Sequence, residues 1–163
     1  MKKNIIRIIL LILLAVTFVI IFGFSNQGGK ETSGVSKKVS RIIIEIFNKN
    51  ASIEKKEQMI KTINPVIRKL AHISIYTVVG MLLMSFVYTY EMKEKTRVNT
   101  SVIIGFIYAC SDEIHQSFIP GRNASFIDAL IDTFGVVLGV IIIAICMKCI
   151  KYIKDRKYVK SIL

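Results

Sequence analysis

Apolar residues in this chain come in long runs instead of short periodic faces. Ile5–Phe24 is the first run, 20 residues with Arg7 as its one charge. At about 1.5 Å of rise per residue, such a run crosses the roughly 30 Å hydrocarbon layer of a bilayer. Leu70–Tyr90, Ser101–Phe118 and Phe126–Met147 follow. The pattern predicts an all-α, polytopic membrane protein, one domain over residues 1–163, with four transmembrane helices at about 5–24, 70–90, 101–118 and 126–147. Met1-Lys2-Lys3-Asn4 is similar to the start of a signal peptide. The run after it is long for that role, and Phe24-Ser25-Asn26-Gln27 offers no small-residue cleavage site, so an uncleaved anchor is expected.

The segments between the runs differ in kind. Gly28–Ser36 is polar and bears Gly and Ser, which predicts a loop. Val39, Ile42, Ile43, Ile46 and Phe47 then recur at helical spacing. Lys37, Lys38, Arg41, Glu45 and Lys49 fill the opposite face. This is an amphipathic helix expected to lie on the membrane surface within a long outer loop, residues 25–69. A second such segment runs from about Ile53 to Ile63, with Met59, Ile60 and Ile63 as its apolar side, and Asn64-Pro65 is expected to break it. Glu91–Thr100 reads as a short charged loop, and residues 148–163 as a basic tail.

Composition agrees with the membrane class: 53% of residues are hydrophobic and the mean hydropathy is +0.55. The net charge of +12 flanks the apolar runs. Anionic lipid headgroups or wall polymers are therefore the expected counter-ions, and nucleic acid is not an expected partner. Residues 1–7, 91–100 and 148–163 hold 12 of the 23 Lys and Arg in far fewer positions than the rest, which places both termini in the cytoplasm. Arg68 and Lys69, beside the second run, argue the other way. Cys110, Cys146 and Cys149 have neither metal-ligand spacing nor a disulfide framework and read as packing residues.

Four spans impose a coincidence. The first ends at Ser25-Asn26-Gln27, the second begins at Lys69, His72 and Tyr76, the third ends at Asp112, Glu113, His115 and Gln116, and the fourth begins at Asp128 and Asp132. All of these fall in one leaflet, the outer one in this topology. Helical phase sharpens the convergence. His72, Tyr76 and Gly80 share a face, Asp112 and Gln116 continue that of Gly105 and Ala109, and Asp128 and Asp132 continue that of Gly135 and Gly139. Small residues let helices approach, so packing the small parts draws the polar ends together. Plainer roles exist for several members. Asp128 forms a capping box with Ser125, Arg122 suits a nearby carboxylate, and His72 and His115 suit an interface. Asp112, Glu113 and Asp132 are harder to dismiss, because ionisable groups at membrane depth are costly. They make either a structural salt-bridge knot or a polar pocket.

Ser111-Asp112-Glu113-Ile114-His115-Gln116-Ser117-Phe118-Ile119-Pro120-Gly121-Arg122, followed by Asp128, Asp132, Gly135 and Gly139, closely resembles the VanZ-like membrane proteins. Arg68-Lys69-Leu70-Ala71-His72 with Tyr76 and Gly80, and Phe24-Ser25-Asn26-Gln27, resemble them too. The likeness spans Ile5 to Cys146. One departure is Ile75, where the family often has an acidic residue before the tyrosine. The resemblance implies a small multi-span protein of the bacterial cell envelope, in a family whose founding member is linked to resistance to the glycopeptide teicoplanin. It implies no particular reaction.

Three functions fit these residues. In the first, the pocket binds a lipid headgroup, wall precursor or glycopeptide through Gln27, Lys69, His72, Tyr76, Asp112, Glu113, His115, Gln116, Arg122, Asp128 and Asp132. Arg122 near the start of the fourth helix suits an anion, and the carboxylates suit amines or hydroxyls. In the second, the chain is an intramembrane enzyme of lipid-linked wall precursors, with Asp112 or Glu113 as base and His72 or His115 as acid. In the third, it is an accessory subunit of a membrane complex whose other members the sequence does not name. No cofactor or metal is expected. Ligands so close along one helix point over a wide arc, and there is no His-Glu-x-x-His motif.

Overall fold

A computed structural model of the chain describes residues 2–26, 29–120 and 124–162. Among the described residues there are five helices and no strand: α1 (Lys2–Ser25), α2 (Gly29–Phe47), α3 (Ile53–Tyr88), α4 (Glu94–Gln116) and α5 (Phe126–Ile162). Of these, α1, α3 and α5 are long and apolar enough to cross a membrane. α4 falls short on hydropathy because one whole face of it is small or polar. Ser101, Gly105, Ala109, Asp112, Glu113 and Gln116 are buried along that face. Its other side exposes Ile103, Ile104, Ile107 and Ile114.

Glycines set how the helices pack. A Cβ at Gly80 would strike the backbone of Val136, and one at Gly105 would lie 2.5 Å from the Val136 side chain. Val136, fully buried, is thus a knob held between α3 and α4. Gly135 sits where a Cβ would come within 2.6 Å of the Ile73 carbonyl, and Gly139 within 2.6 Å of the Met81 nitrogen. The pairs 73/135 and 81/139 rise together, so α3 and α5 run parallel, in backbone contact through the Gly135-x-x-x-Gly139 stripe. Tyr76, Val79, Leu83, Met84, Ala109 and Val140 close the core around them. α1 lies along the outside. The Arg7 guanidinium donates to the Thr89 carbonyl (2.8 Å) at one end. Phe18 stacks on Tyr108 with centroids 3.8 Å apart further along. α1 is therefore antiparallel to α3 and parallel to α4.

Four expectations change. Asn64-Pro65 does not end a helix: α3 runs unbroken from Ile53 to Tyr88 with Pro65 inside. Pro removes one backbone donor and crowds the preceding turn. Here Pro65 faces outward, while half-buried Met59, Ile60, Ile63 and Ile67 keep one stripe in phase across it. Packing on both sides of the proline outweighs the lost bond. The Gly28–Ser36 loop is also helical from Gly29 onward, within α2. Lastly, the charged Glu91–Thr100 loop becomes helix at Glu94, and the basic tail continues α5 as far as Ile162.

α2 folds back on the first half of α3 through Ser36, Ser40 and Ile44, all buried. The apolar residues Val39, Ile42, Ile46 and Phe47 remain exposed. α3, at 36 residues, is about 54 Å long, well beyond a hydrocarbon layer of about 30 Å. Its charged first half, with Lys55, Lys56 and Lys61, therefore projects past one end of the bundle together with α2. The basic end of α5 projects past the other.

Candidate functional site

Tyr76 is the hinge of the site. Its Cβ packs where α3 meets Gly135 of α5, and its hydroxyl reaches across to α4 and donates to Asp112 Oδ2 at 3.3 Å. The Gln116 amide, one turn on from Asp112, donates to the same oxygen at 2.8 Å and to Ser25 Oγ of α1 at 3.3 Å. Asp112 is 4% exposed and Gln116 likewise. A buried carboxylate with two donors keeps its partners and itself satisfied.

Glu113 faces the turn between α4 and α5. Its Oε2 accepts the Ser125 backbone N–H at 2.9 Å. The Ser125 carbonyl in turn accepts from the N–H groups of Asp128 and Ala129. The adjacent carboxylates thus diverge: Asp112 looks toward α3 and α1, and Glu113 toward the start of α5.

Asp132 is 1% exposed. His72 Nδ1 of α3 lies 3.5 Å from its Oδ1, ion-pair distance when the ring is protonated. Asp132 Oδ2 has no hydrogen-bond partner among the described residues. A buried carboxylate oxygen without a donor is expensive.

Lys69 and Asp128 pair at 3.2 Å one turn outward, each about half exposed. Such a pair is worth under about 1 kcal/mol. Lys69→Ala is therefore expected to lower the unfolding free energy by less than about 1 kcal/mol, read by denaturant titration in detergent micelles. A larger loss would place this pair among the structural contacts. His115 stands apart from the carboxylates. It stacks on Phe22 at 4.3 Å, and its Nε2 is 3.2 Å from Asn26 Oδ1. Gln27 and Arg122 lie outside the described residues.

The structure brings together His72, Tyr76, Asp112, Gln116 and Asp132, sets Glu113 beside them, and leaves Lys69, Asp128 and His115 at the rim. Sequence reasoning passes over Tyr108, and it reads Ser125 only as the cap of the fourth span. Tyr108 lies one turn before Asp112, stacks on Phe18 and donates to its carbonyl at 3.0 Å. Its ring is 6.1 Å from that of Tyr76. The i−4 spacing from Asp112 is the signal that would have found it. Ser125 contributes only a backbone N–H, which no side-chain pattern reveals.

Among the described residues, no Lys or Arg pairs with Asp112, Glu113 or Asp132. Among the described residues the arrangement is rich in acceptors and poor in cations, a chemistry that suits groups bringing N–H or O–H. No curated protein and no solved structure matches the chain. A family model described as VanZ/LLP1 matches residues 9–147, a stretch that takes in every member of the cluster, and the chain belongs to that family.

Proposed function

We propose that this chain is a multi-pass envelope protein whose α3–α4–α5 pocket binds an amine- or hydroxyl-bearing group. The group belongs to a lipid headgroup, a lipid-linked wall precursor or a glycopeptide such as teicoplanin. α1, α3, α4 and α5 cross the bilayer, with both termini cytoplasmic and the pocket in the outer leaflet. The isoleucines that α4 turns outward support its being a span despite its polar face. One observation carries the binding reading: Asp132 is buried at membrane depth with Oδ2 unpartnered among the described residues. Ionisable groups at that depth are rare where no function needs them. Asp112 and Glu113 add further acceptors at the same level.

Asp132→Asn keeps the shape and removes the charge. In cells lacking the native copy, this variant is expected to be expressed like the original. It should nevertheless lose whatever envelope phenotype the original restores, scored as teicoplanin susceptibility and as growth under envelope stress. Full restoration by Asp132→Asn and by Glu113→Gln, at equal expression, would remove the pocket from consideration.

The His72–Asp132 pair favours a second, enzymatic reading, since an imidazole held by a carboxylate is a usual acid–base unit. Turnover of labelled undecaprenyl-linked precursors by the purified protein, abolished in His72→Gln, is the outcome that reading requires.

A further inference from the structure

A cavity of about 250 Å³ lies between α1, α2 and α3, beside the carboxylate cluster. Ile21 and Phe24 of α1, Val39 of α2, and Ile67, Ala71 and Ile75 of α3 give it an almost wholly apolar wall. Water there would find too few partners to be held. The cavity sits beside the last turns of α1, where a span ends, and so at the boundary between hydrocarbon and headgroups. A helix with its side chains is about 10 Å across, too wide for this space, whereas a single hydrocarbon chain is not.

Charge narrows the occupant further. Arg68 is the one wall residue with a permanent charge. No carboxylate among the described residues pairs with it, although Lys69 beside it is paired with Asp128. Guanidinium groups hold phosphate through two parallel N–H bonds. We infer that the cavity takes one acyl chain of an anionic phospholipid, whose phosphate rests on Arg68. α2 covers the chain from the outer side through Val39. This site shares only Ser25 and His72 with the carboxylate cluster, and it stands whether or not that cluster binds a ligand of its own.

Native mass spectrometry of the full chain tests this. The purified protein would be exchanged into micelles carrying either phosphatidylglycerol or phosphatidylcholine. The original protein is expected to retain one phosphatidylglycerol and to prefer it about tenfold to phosphatidylcholine, whose choline cation is repelled by Arg68 and offsets the charge on the same phosphate. Arg68→Gln should abolish the preference while a chain is still retained. Ala71→Phe, which fills the cavity, should abolish retention of both lipids. The inference is overturned if the original protein retains neither lipid, if Arg68→Gln keeps the preference, or if folded Ala71→Phe retains lipid undiminished. Arg68 is partly exposed and makes no ion pair among the described residues, so its variant folds and decides the matter even if the phenylalanine does not fit. Asp112, Glu113 and Asp132 stay intact in both variants, so loss of lipid here is distinct from loss of function in Asp132→Asn.

Discussion

Gly139→Ala is expected to be among the most damaging single changes in the chain. The added methyl would meet the Thr77 carbonyl, the Met81 nitrogen at 2.6 Å and the Gly80 carbonyl carbon at 3.0 Å. All three belong to the α3 backbone, which cannot swing aside as a side chain does. α5 must then move away from α3, and that opens the contact around Val136 and Gly80 as well. Overpacking usually costs about 1–3 kcal/mol. With backbone on the far side the upper end applies, so a loss of about 3 kcal/mol is expected. The readout is denaturant unfolding followed by circular dichroism in micelles. Gly23→Ala is the control, because nothing lies within 4 Å of the added carbon. In the last turn of α1 that change should be neutral or stabilising by up to about 0.5–1 kcal/mol. Equal effects of the two substitutions would show that α3 and α5 do not touch at Gly139.

This contact links fold to site. Asp132 lies two turns before Gly139 on α5, and His72 lies just over one turn before Thr77, the first α3 residue that Gly139 meets. Separating the helices separates that pair. Gly139→Ala is therefore expected to lose function along with stability, whereas Asp132→Asn loses function alone.

The same contact shows how far the sequence can be read. His72, Tyr76 and Gly80 at i, i+4 and i+8 share a face, and the structure turns all three toward α4 and α5. The stripe from Gly105 through Ala109 to Asp112 and Gln116 is buried throughout. Small residues and polar residues in one helical phase are legible because the backbone period alone fixes which of them point together. Pro65 escapes such reading because a local rule about donors takes no account of stripes in phase on either side of it. The face of α2 that meets α3 is hidden for a related reason. It is Ser36, Ser40 and Ile44, and the two serines carry no hydropathy signal. In a membrane, close packing selects small residues over apolar ones, so the most hydrophobic face of a helix can be the one turned toward lipid. α4 follows the same rule, with its isoleucines outside and its carboxylates within.

Asp112→Leu tests whether the cluster holds the helices together or only occupies the space between them. Leucine is of similar size but accepts no hydrogen bond. The Tyr76 hydroxyl and the Gln116 amide, both buried, would lose the oxygen they share. Each stranded donor costs about 1–3 kcal/mol, so a loss of about 2–4 kcal/mol is expected, reduced where Gln116 falls back on Ser25. Adding Tyr76→Phe to Asp112→Leu removes one stranded donor. The double variant is therefore expected to be more stable than Asp112→Leu alone, although Tyr76→Phe by itself is destabilising. This sign reversal arises only if the two groups bond to each other in the folded protein. Strict additivity in the cycle would mean that Tyr76 and Asp112 act independently. Because apolar replacement of the pair recovers stability without restoring a carboxylate, the double variant also separates the two roles: a scaffold-only cluster would function in it, and a binding pocket would not.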